Sequence, residues 1–272
     1  ANAKINLGLQ ITGKRSDGYH LLESLFIPIP LNDIIEITIN EELNQDEIQI
    51  LGNVETGPTE DNLVLRAINK LRESHDIPPL QISLLKQIPS GAGMGGGSSD
   101  ATHTLKAVRE LCHLNISDSE LETIALSLGA DCPFFYHARP AYATGIGNEL
   151  TQIDFDLAGL NLVLVKPRIH VSTREAYALV TPRASSENLL LSLARPVETW
   201  KDTIKNDFEV SVFQRYPKIA AIKQTLYDMG AVYASMSGSG SSVFGLFSNR
   251  QPEAEEIFRD CFVSEMRLRA FS

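Results

Sequence analysis

Residues 89–101 read PSGAGMGGGSSDA, with five glycines in the seven positions from Gly91 to Gly97. Such a run admits backbone angles and close approaches that a Cβ would block. Its successive N–H groups can ring an anion. The spacing of Ala101, Leu105, Val108, Leu111 and Cys112 predicts a helix directly after the loop, and the unpaired donors and positive dipole end of a helix N-terminus suit phosphate. Ser98 and Ser99 can add hydroxyl donors. Three readings compete. A P-loop needs a lysine and then Ser or Thr after its final glycine, and Gly97 stands at the lysine position. Gly91, Gly93 and Gly96 satisfy the dinucleotide pattern GxGxxG, but a second helix follows where a βαβ unit requires a strand. A merely flexible connection is the weakest of the three, because the glycines are clustered ahead of a helix.

Composition narrows the partners. The chain has 272 residues, 43% of them hydrophobic, enough for one large core or two modest ones. Its net charge of -10 repels phosphodiester backbones and anionic headgroups, and no cluster of Lys and Arg offsets it. Nucleic acid and membrane surfaces are therefore excluded as expected partners. The three cysteines, Cys112, Cys132 and Cys261, are widely spaced, fit neither a disulfide framework nor a CxxC metal pattern, and read as small hydrophobes in a reducing compartment. No apolar run reaches the length of a bilayer span. A cytoplasmic location is expected.

Along the chain, Ile5, Leu7, Leu9 and Ile11 alternate with Lys4, Asn6, Gly8 and Gln10, which predicts a half-buried strand carrying Lys4 and Asn6 on its polar face. Further strands are expected at Ile35 to Ile39, Ile48 to Ile50 and Leu80 to Leu84. Asp61 reads as the N-cap of a helix bearing Leu63, Ala67, Ile68 and Leu71. Ser117 and Glu120 form a capping-box pattern, Gly129 reads as a left-handed stop, and Pro133 is expected to keep the helix from resuming after Asp131. After residue 150 come a strand at Leu162 to Val165, helical stretches around Tyr177 and Trp200, and a helix ended by Gly230. A last helix is expected to carry Ala254, Ile257, Phe258 and Cys261. No linker marks a boundary near residues 150–160.

Two more features stand out. MSGSGSSVFGLF, residues 236–247, places a second glycine-serine loop before an apolar strand, which reads as a hairpin or a second site of backbone donors. Lys4 and Asp131 are ambiguous alone. One fits a solvated strand lysine and the other a turn or capping residue.

Together, AKINLGLQITGKRSDGYHLLESLF (residues 3–26), PSGAGMGGGSSDA, LGADCPFF (residues 128–135) and MSGSGSS (residues 236–242) resemble, in order, the motifs of the GHMP kinases over nearly the whole chain. The segment ITGKRSDGYH resembles the branch of that superfamily whose acceptor is a cytidine diphosphate derivative of methylerythritol, in the non-mevalonate isoprenoid pathway. The resemblance implies a two-domain α+β fold: an N-terminal ATP-binding domain over 1–155, like ribosomal protein S5 domain 2, and a ferredoxin-like C-terminal domain over 156–272. It implies ATP as co-substrate, with Mg2+ carried on the nucleotide, and phosphates held by Pro89, Ser90, Gly91, Ala92, Gly93, Met94, Gly95, Gly96, Gly97, Ser98 and Ser99. The catalytic lysine falls on Lys4 and the catalytic aspartate on Asp131. Asn6, Tyr19, His20 and Tyr177 match acceptor-side positions, the last three at the cytidine end. A GHMP kinase for homoserine or mevalonate is the nearest rival. A silent ATP sensor is a second, against which the retained Lys4 and Asp131 count, and an NAD-linked oxidoreductase is a third.

Overall fold

The computed structural model describes residues 1–52, 61–180, 182 and 188–271. Two long strands come first, β1 (Asn2–Lys14) and β2 (His20–Asn32), followed by β3 (Ile34–Ile39), β4 (Glu47–Leu51), α1 (Leu63–Arg72), β5 (Leu80–Leu85), α2 (Gly96–Leu111), α3 (Asp118–Leu128) and α4 (Cys132–His137). The chain continues with β6 (Ala141–Thr144), β7 (Glu149–Gln152), β8 (Asn161–Pro167), α5 (Thr173–Leu179), α6 (Leu189–Leu193), α7 (Trp200–Thr203), α8 (Phe208–Arg215) and α9 (Pro217–Asp228). It closes with β9 (Tyr233–Met236), β10 (Val243–Phe247), α10 (Ala254–Ile257) and β11 (Cys261–Arg267).

Contacts divide these elements into two compact units that interleave along the sequence. One holds Ala1–Ala3, Leu31–Ser90 and Gly95–Ala138; the other holds Lys4–Pro30, Gly91–Met94 and Arg139–Ser272. β2 pairs with β6 within the second unit.

In the first unit, β5 lies between β3, which it pairs antiparallel, and β4, which it pairs parallel. The period-two side chains Leu80, Ile82 and Leu84 pack with Val64, Ile68 and Leu71 of α1, Leu105 and Val108 of α2, and Leu121 and Ala125 of α3. The capping box at Ser117 and Glu120 is present. Several boundaries differ from the sequence expectation. Asn62, not Asp61, caps α1, its Oδ1 accepting from Val64 N at 2.9 Å, since the cap must immediately precede the first helical residue. Gly129 has φ 176, an extended conformation and no left-handed stop. Pro133 opens α4 instead of preventing a helix, because the first turn has no use for the N–H that proline lacks. Asp131 consequently stands at the N-cap position of α4.

In the second unit, one sheet runs β1-β2-β6-β7 and another runs β11-β8-β10-β9. Counted from β8, the latter order is 4-1-3-2 with every neighbouring pair antiparallel, the ferredoxin-like arrangement, with α5 to α9 between its first two strands and α10 before its last. Leu9 and Ile11 of β1 share a core with Val163, Val165, Phe208, Ile222, Leu226 and Phe247. The expected last helix stops at Ile257, and Cys261 begins β11, whose pairing with β8 outweighs the helical spacing. All three cysteines are unpaired thiols, and burial pushes each of them up, as suits packing more than reactivity.

One buried polar cluster of the first unit bears directly on the glycine-rich segment. The Lys86 ammonium touches Asp33 and lies 2.6 Å from Asp100 Oδ2, and Asp33 Oδ1 accepts from Gln87 N at 2.6 Å and Ile88 N at 2.8 Å. The cluster thereby ties the entry to the loop, at residues 86–88, to its exit at Asp100. Two carboxylates facing one ammonium leave an excess negative charge in a buried place. Burial, with Asp33 beside it, pushes Asp100 from 3.8 up to about 6 although Lys86 pulls the other way, and Asp100 Oδ1 has no hydrogen-bond partner. The folded protein thus holds this proton more tightly than the unfolded chain does. The stability linked to it is complete below 3.8 and is lost as pH rises through about 6. Asp100→Asn should remove that loss. Its melting temperature, measured against the parent from about pH 4 to about pH 7, should shift in the variant's favour as pH rises, whereas a constant difference would mean that Asp100 does not titrate in this window.

Candidate active site

The glycine-rich loop adopts left-handed backbone at alternate residues, with φ of 62° at Gly91, 76° at Gly93 and 70° at Gly95. Alternation of this kind turns successive N–H groups toward a common concavity, the nest geometry that binds anions. Helix α2 begins at Gly96, inside the segment that sequence alone assigns to the loop, so Gly97, Ser98 and Ser99 form its first turn. Pro89 and Ser90 lead into the nest at the end of the first unit's β5 connection. Gly96 packs against that connection, since a Cβ there would lie 2.9 Å from Ile88 Cγ2.

Within the first unit, Asp131 stands beside the last residue of the nest. A Cβ on Gly95 would fall 2.7 Å from the Phe135 ring and 3.6 Å from Asp131 Oδ2. Phe135 and Asp131 come from the start of α4, and the proline that opens this helix fixes both on one short turn. Thr102 of α2 donates to Cys132 O at 2.9 Å and joins the two helices behind the loop.

In the second unit, Lys4 and Asn6 are 3% and 2% exposed, contrary to the half-solvated strand that their alternation predicts. Lys4 Nζ donates to Asn6 Oδ1 at 2.8 Å, Asn6 Nδ2 to Ser24 Oγ at 2.8 Å, and Ser24 Oγ to Gly8 O at 2.7 Å. The Lys4 ammonium also lies 4.3 Å over the Phe26 ring. Its backbone N–H donates to Met94 O at 3.1 Å, which brings the strand carrying Lys4 against the nest residues of the same unit. Ser24 escaped the sequence reading, as a serine in a strand gives no signal of its partners.

His20 and Tyr177 lie far apart in sequence and meet in the structure. Their ring centroids are 5.1 Å apart with 30° between planes, and the Phe208 ring meets Tyr177 edge-on at 4.8 Å. Burial, and then Lys14, lowers the His20 pKa, so the imidazole is neutral at neutral pH and presents one donor and one acceptor. Tyr19 is 60% exposed. The second glycine-serine loop joins β9 to β10 as a hairpin and braces the first: Ser237 Oγ donates to Gly93 O at 3.0 Å, and a Cβ on Gly240 would lie 2.3 Å from Gly93 N. Among the described residues there is no cluster of three or more His, Cys, Asp or Glu side chains fit to hold a metal ion, and no helix is long and apolar enough to cross a membrane.

The chain is similar to known proteins in sequence and in fold. The pattern described as GHMP kinases N terminal domain matches residues 62–139, and that described as GHMP kinases C terminal matches residues 187–263. A protein of Parabacteroides distasonis named 4-diphosphocytidyl-2-C-methyl-D-erythritol kinase is 50% identical over 270 residues, covering 98% of both chains. A Porphyromonas gingivalis protein of the same name is 48% identical over 96% of both. A crystal structure of 4-(cytidine 5'-diphospho)-2C-methyl-D-erythritol kinase superposes with a TM-score of 0.80 at 30% identity, covering 98% of both chains. Mevalonate kinase of Methanococcus jannaschii, at 16% identity and a TM-score of 0.70, shares the fold.

The nest leads to a direct test. Gly95→Ala forces a side chain onto a left-handed residue and against Phe135, so ATP affinity measured by calorimetry should fall at least about tenfold while the circular dichroism spectrum is kept. Undiminished affinity in the folded variant would remove the loop from the phosphate site.

Proposed function

Because this chain belongs to the 4-diphosphocytidyl-2-C-methyl-D-erythritol kinase family of the GHMP kinases, it is a small-molecule kinase, and we propose that it transfers the γ-phosphoryl group of ATP to the 2-hydroxyl of 4-diphosphocytidyl-2-C-methyl-D-erythritol. It would do so in the cytoplasm, as a step of the non-mevalonate isoprenoid pathway. The sequence division into an ATP-binding segment, 1–155, and a C-terminal segment, 156–272, is part of the same proposal. The observation that carries the catalytic reading is the alternating left-handed nest with a carboxylate beside its last glycine.

Phosphoryl transfer needs alignment and charge neutralisation more than covalent help. In this reading the N–H groups of residues 91–99 and the first turn of α2 receive the phosphates. Magnesium, when bound with the nucleotide, offsets their negative charge; its ligands would be phosphate oxygens and water, in keeping with its reluctance to shed water. Asp131 takes the proton from the attacking hydroxyl. Lys4, held by Asn6 and desolvated in its strand, orients that carboxylate and the hydroxyl and offsets the charge that develops. His20 reads an edge of cytosine with its neutral ring, beside Tyr177 as a stacking face and Tyr19 at the same end. A site built to hydrogen-bond one group discriminates sharply against acceptors that lack it.

Asp131→Asn removes the base but keeps the shape, and should lower kcat by about a hundredfold or more with ATP affinity retained. Lys4→Met should lower kcat comparably. His20→Ala should raise the acceptor KM and leave the ATP KM in place. Assays of the parent with the cytidylated acceptor, homoserine and mevalonate side by side decide the substrate: equal turnover of an acceptor without cytidine would reject the proposed one, and near-normal kcat in Asp131→Asn would reject the base.

A further inference from the structure

The segment Asn206–Glu209, Asn-Asp-Phe-Glu, enters α8 with three polar side chains, each bonded to the backbone of another part of the second unit. Asp207 Oδ2 accepts from Ile11 N of β1 at 2.7 Å. Glu209 Oε1 accepts from Met236 N at 2.8 Å, and its other oxygen pairs with Lys223 at 2.6 Å. Asn206, 2% exposed, donates from Nδ2 to both Met236 O at 2.9 Å and Gly238 O at 2.8 Å, and its Oδ1 accepts from Phe208 N at 3.0 Å. Backbone bonds from Leu9 N to Lys205 O and from Asp207 N to Leu9 O strap the segment to β1.

The two carbonyls that Asn206 grips flank Ser237, whose hydroxyl donates to Gly93 O. A trans peptide is planar, so a carbonyl fixed in one direction fixes the following N–H in the opposite one. Ser237 on Gly93 O therefore sets the Met94 N–H, just as Lys4 N on Met94 O sets the Gly95 N–H. We propose that Asn206 is a positioning residue for phosphoryl transfer: by holding both carbonyls beside Ser237, it orients the Gly93–Met94 peptide and aims one of the amides that receive the ATP phosphates. The inference rests on the reading of residues 89–99 as the phosphate cradle. An amide aimed before the nucleotide arrives need not be reorganised during binding or transfer.

The experiment is a double-mutant cycle of Asn206→Ala and Ser237→Ala on the full chain, read as ATP KM, acceptor KM and kcat, with melting temperature as the check on folding. Asn206→Ala should raise the ATP KM about tenfold and Ser237→Ala about fivefold, with the acceptor KM unchanged. Since both act through one peptide plane, the double variant should be no worse than Asn206→Ala alone. Ile222→Val, which trims one methyl from the same core and removes no hydrogen bond of the loop, should lower the melting temperature and leave the ATP KM alone. Full additivity, a parental ATP KM in either folded variant, or an equal ATP effect in Ile222→Val would overturn the positioning role. If Asn206→Ala does not fold, Ser237→Ala decides by itself, because it removes one oxygen and must still weaken ATP binding. Gly95→Ala separates the two levels: retained ATP affinity there defeats the phosphate reading, whereas lost affinity there with parental kinetics in Asn206→Ala and Ser237→Ala defeats only the role of Asn206.

Discussion

A left-handed backbone at every second residue is the demand from which the surroundings of the glycine loop follow. It disfavours side chains at Gly91, Gly93 and Gly95 on conformational grounds, and the neighbours then occupy the space that those side chains would have filled. At Gly93 a Cβ would lie 2.0 Å from Ser237 O; at Gly95 it would meet the Phe135 ring. Conformation and packing thus require the same residue type. The carbonyls of Gly93 and Met94 are each held by a hydrogen bond, so the loop is flexible in composition but restrained in structure.

The sequence made the glycine loop legible because glycine clusters carry their reason with them: glycine alone reaches those angles without steric cost. Strand β1 was legible from its alternation, but alternation states only that two faces differ. It does not say whether the polar face is covered, and Lys4 and Asn6 lie buried on a line of hydrogen bonds through Ser24. Pro133 misled in a similar way, since a proline next to a helix stop also suits the first turn of a new helix, and that turn is what places Asp131.

Two polar assemblies left no trace in local pattern. Lys86, Asp33 and Asp100 are three charges brought together from separate segments, and each alone reads as a surface residue. Asn206 has backbone carbonyls as its partners, and carbonyls are the one group every residue displays equally. Burial makes both consequential. A buried donor or acceptor without a partner costs far more than an exposed one, so these groups hold their geometry tightly.

The interleaving of the units has a consequence for biogenesis. Strands β1 and β2 leave the ribosome long before the segments they pair with, for Ser24 pairs with Ala143 and Leu9 is bonded to Lys205 and Asp207. The first unit, continuous from Leu31 to Ala138 apart from four residues, has its sequence-local contacts available much sooner. Those four residues, Gly91–Met94, wait as well, because the hydroxyl that holds Gly93 O is 144 positions downstream. During vectorial synthesis the loop's sequence is therefore present well before its full set of restraints, and the nascent chain acquires a rigid nest only as its last strands are made.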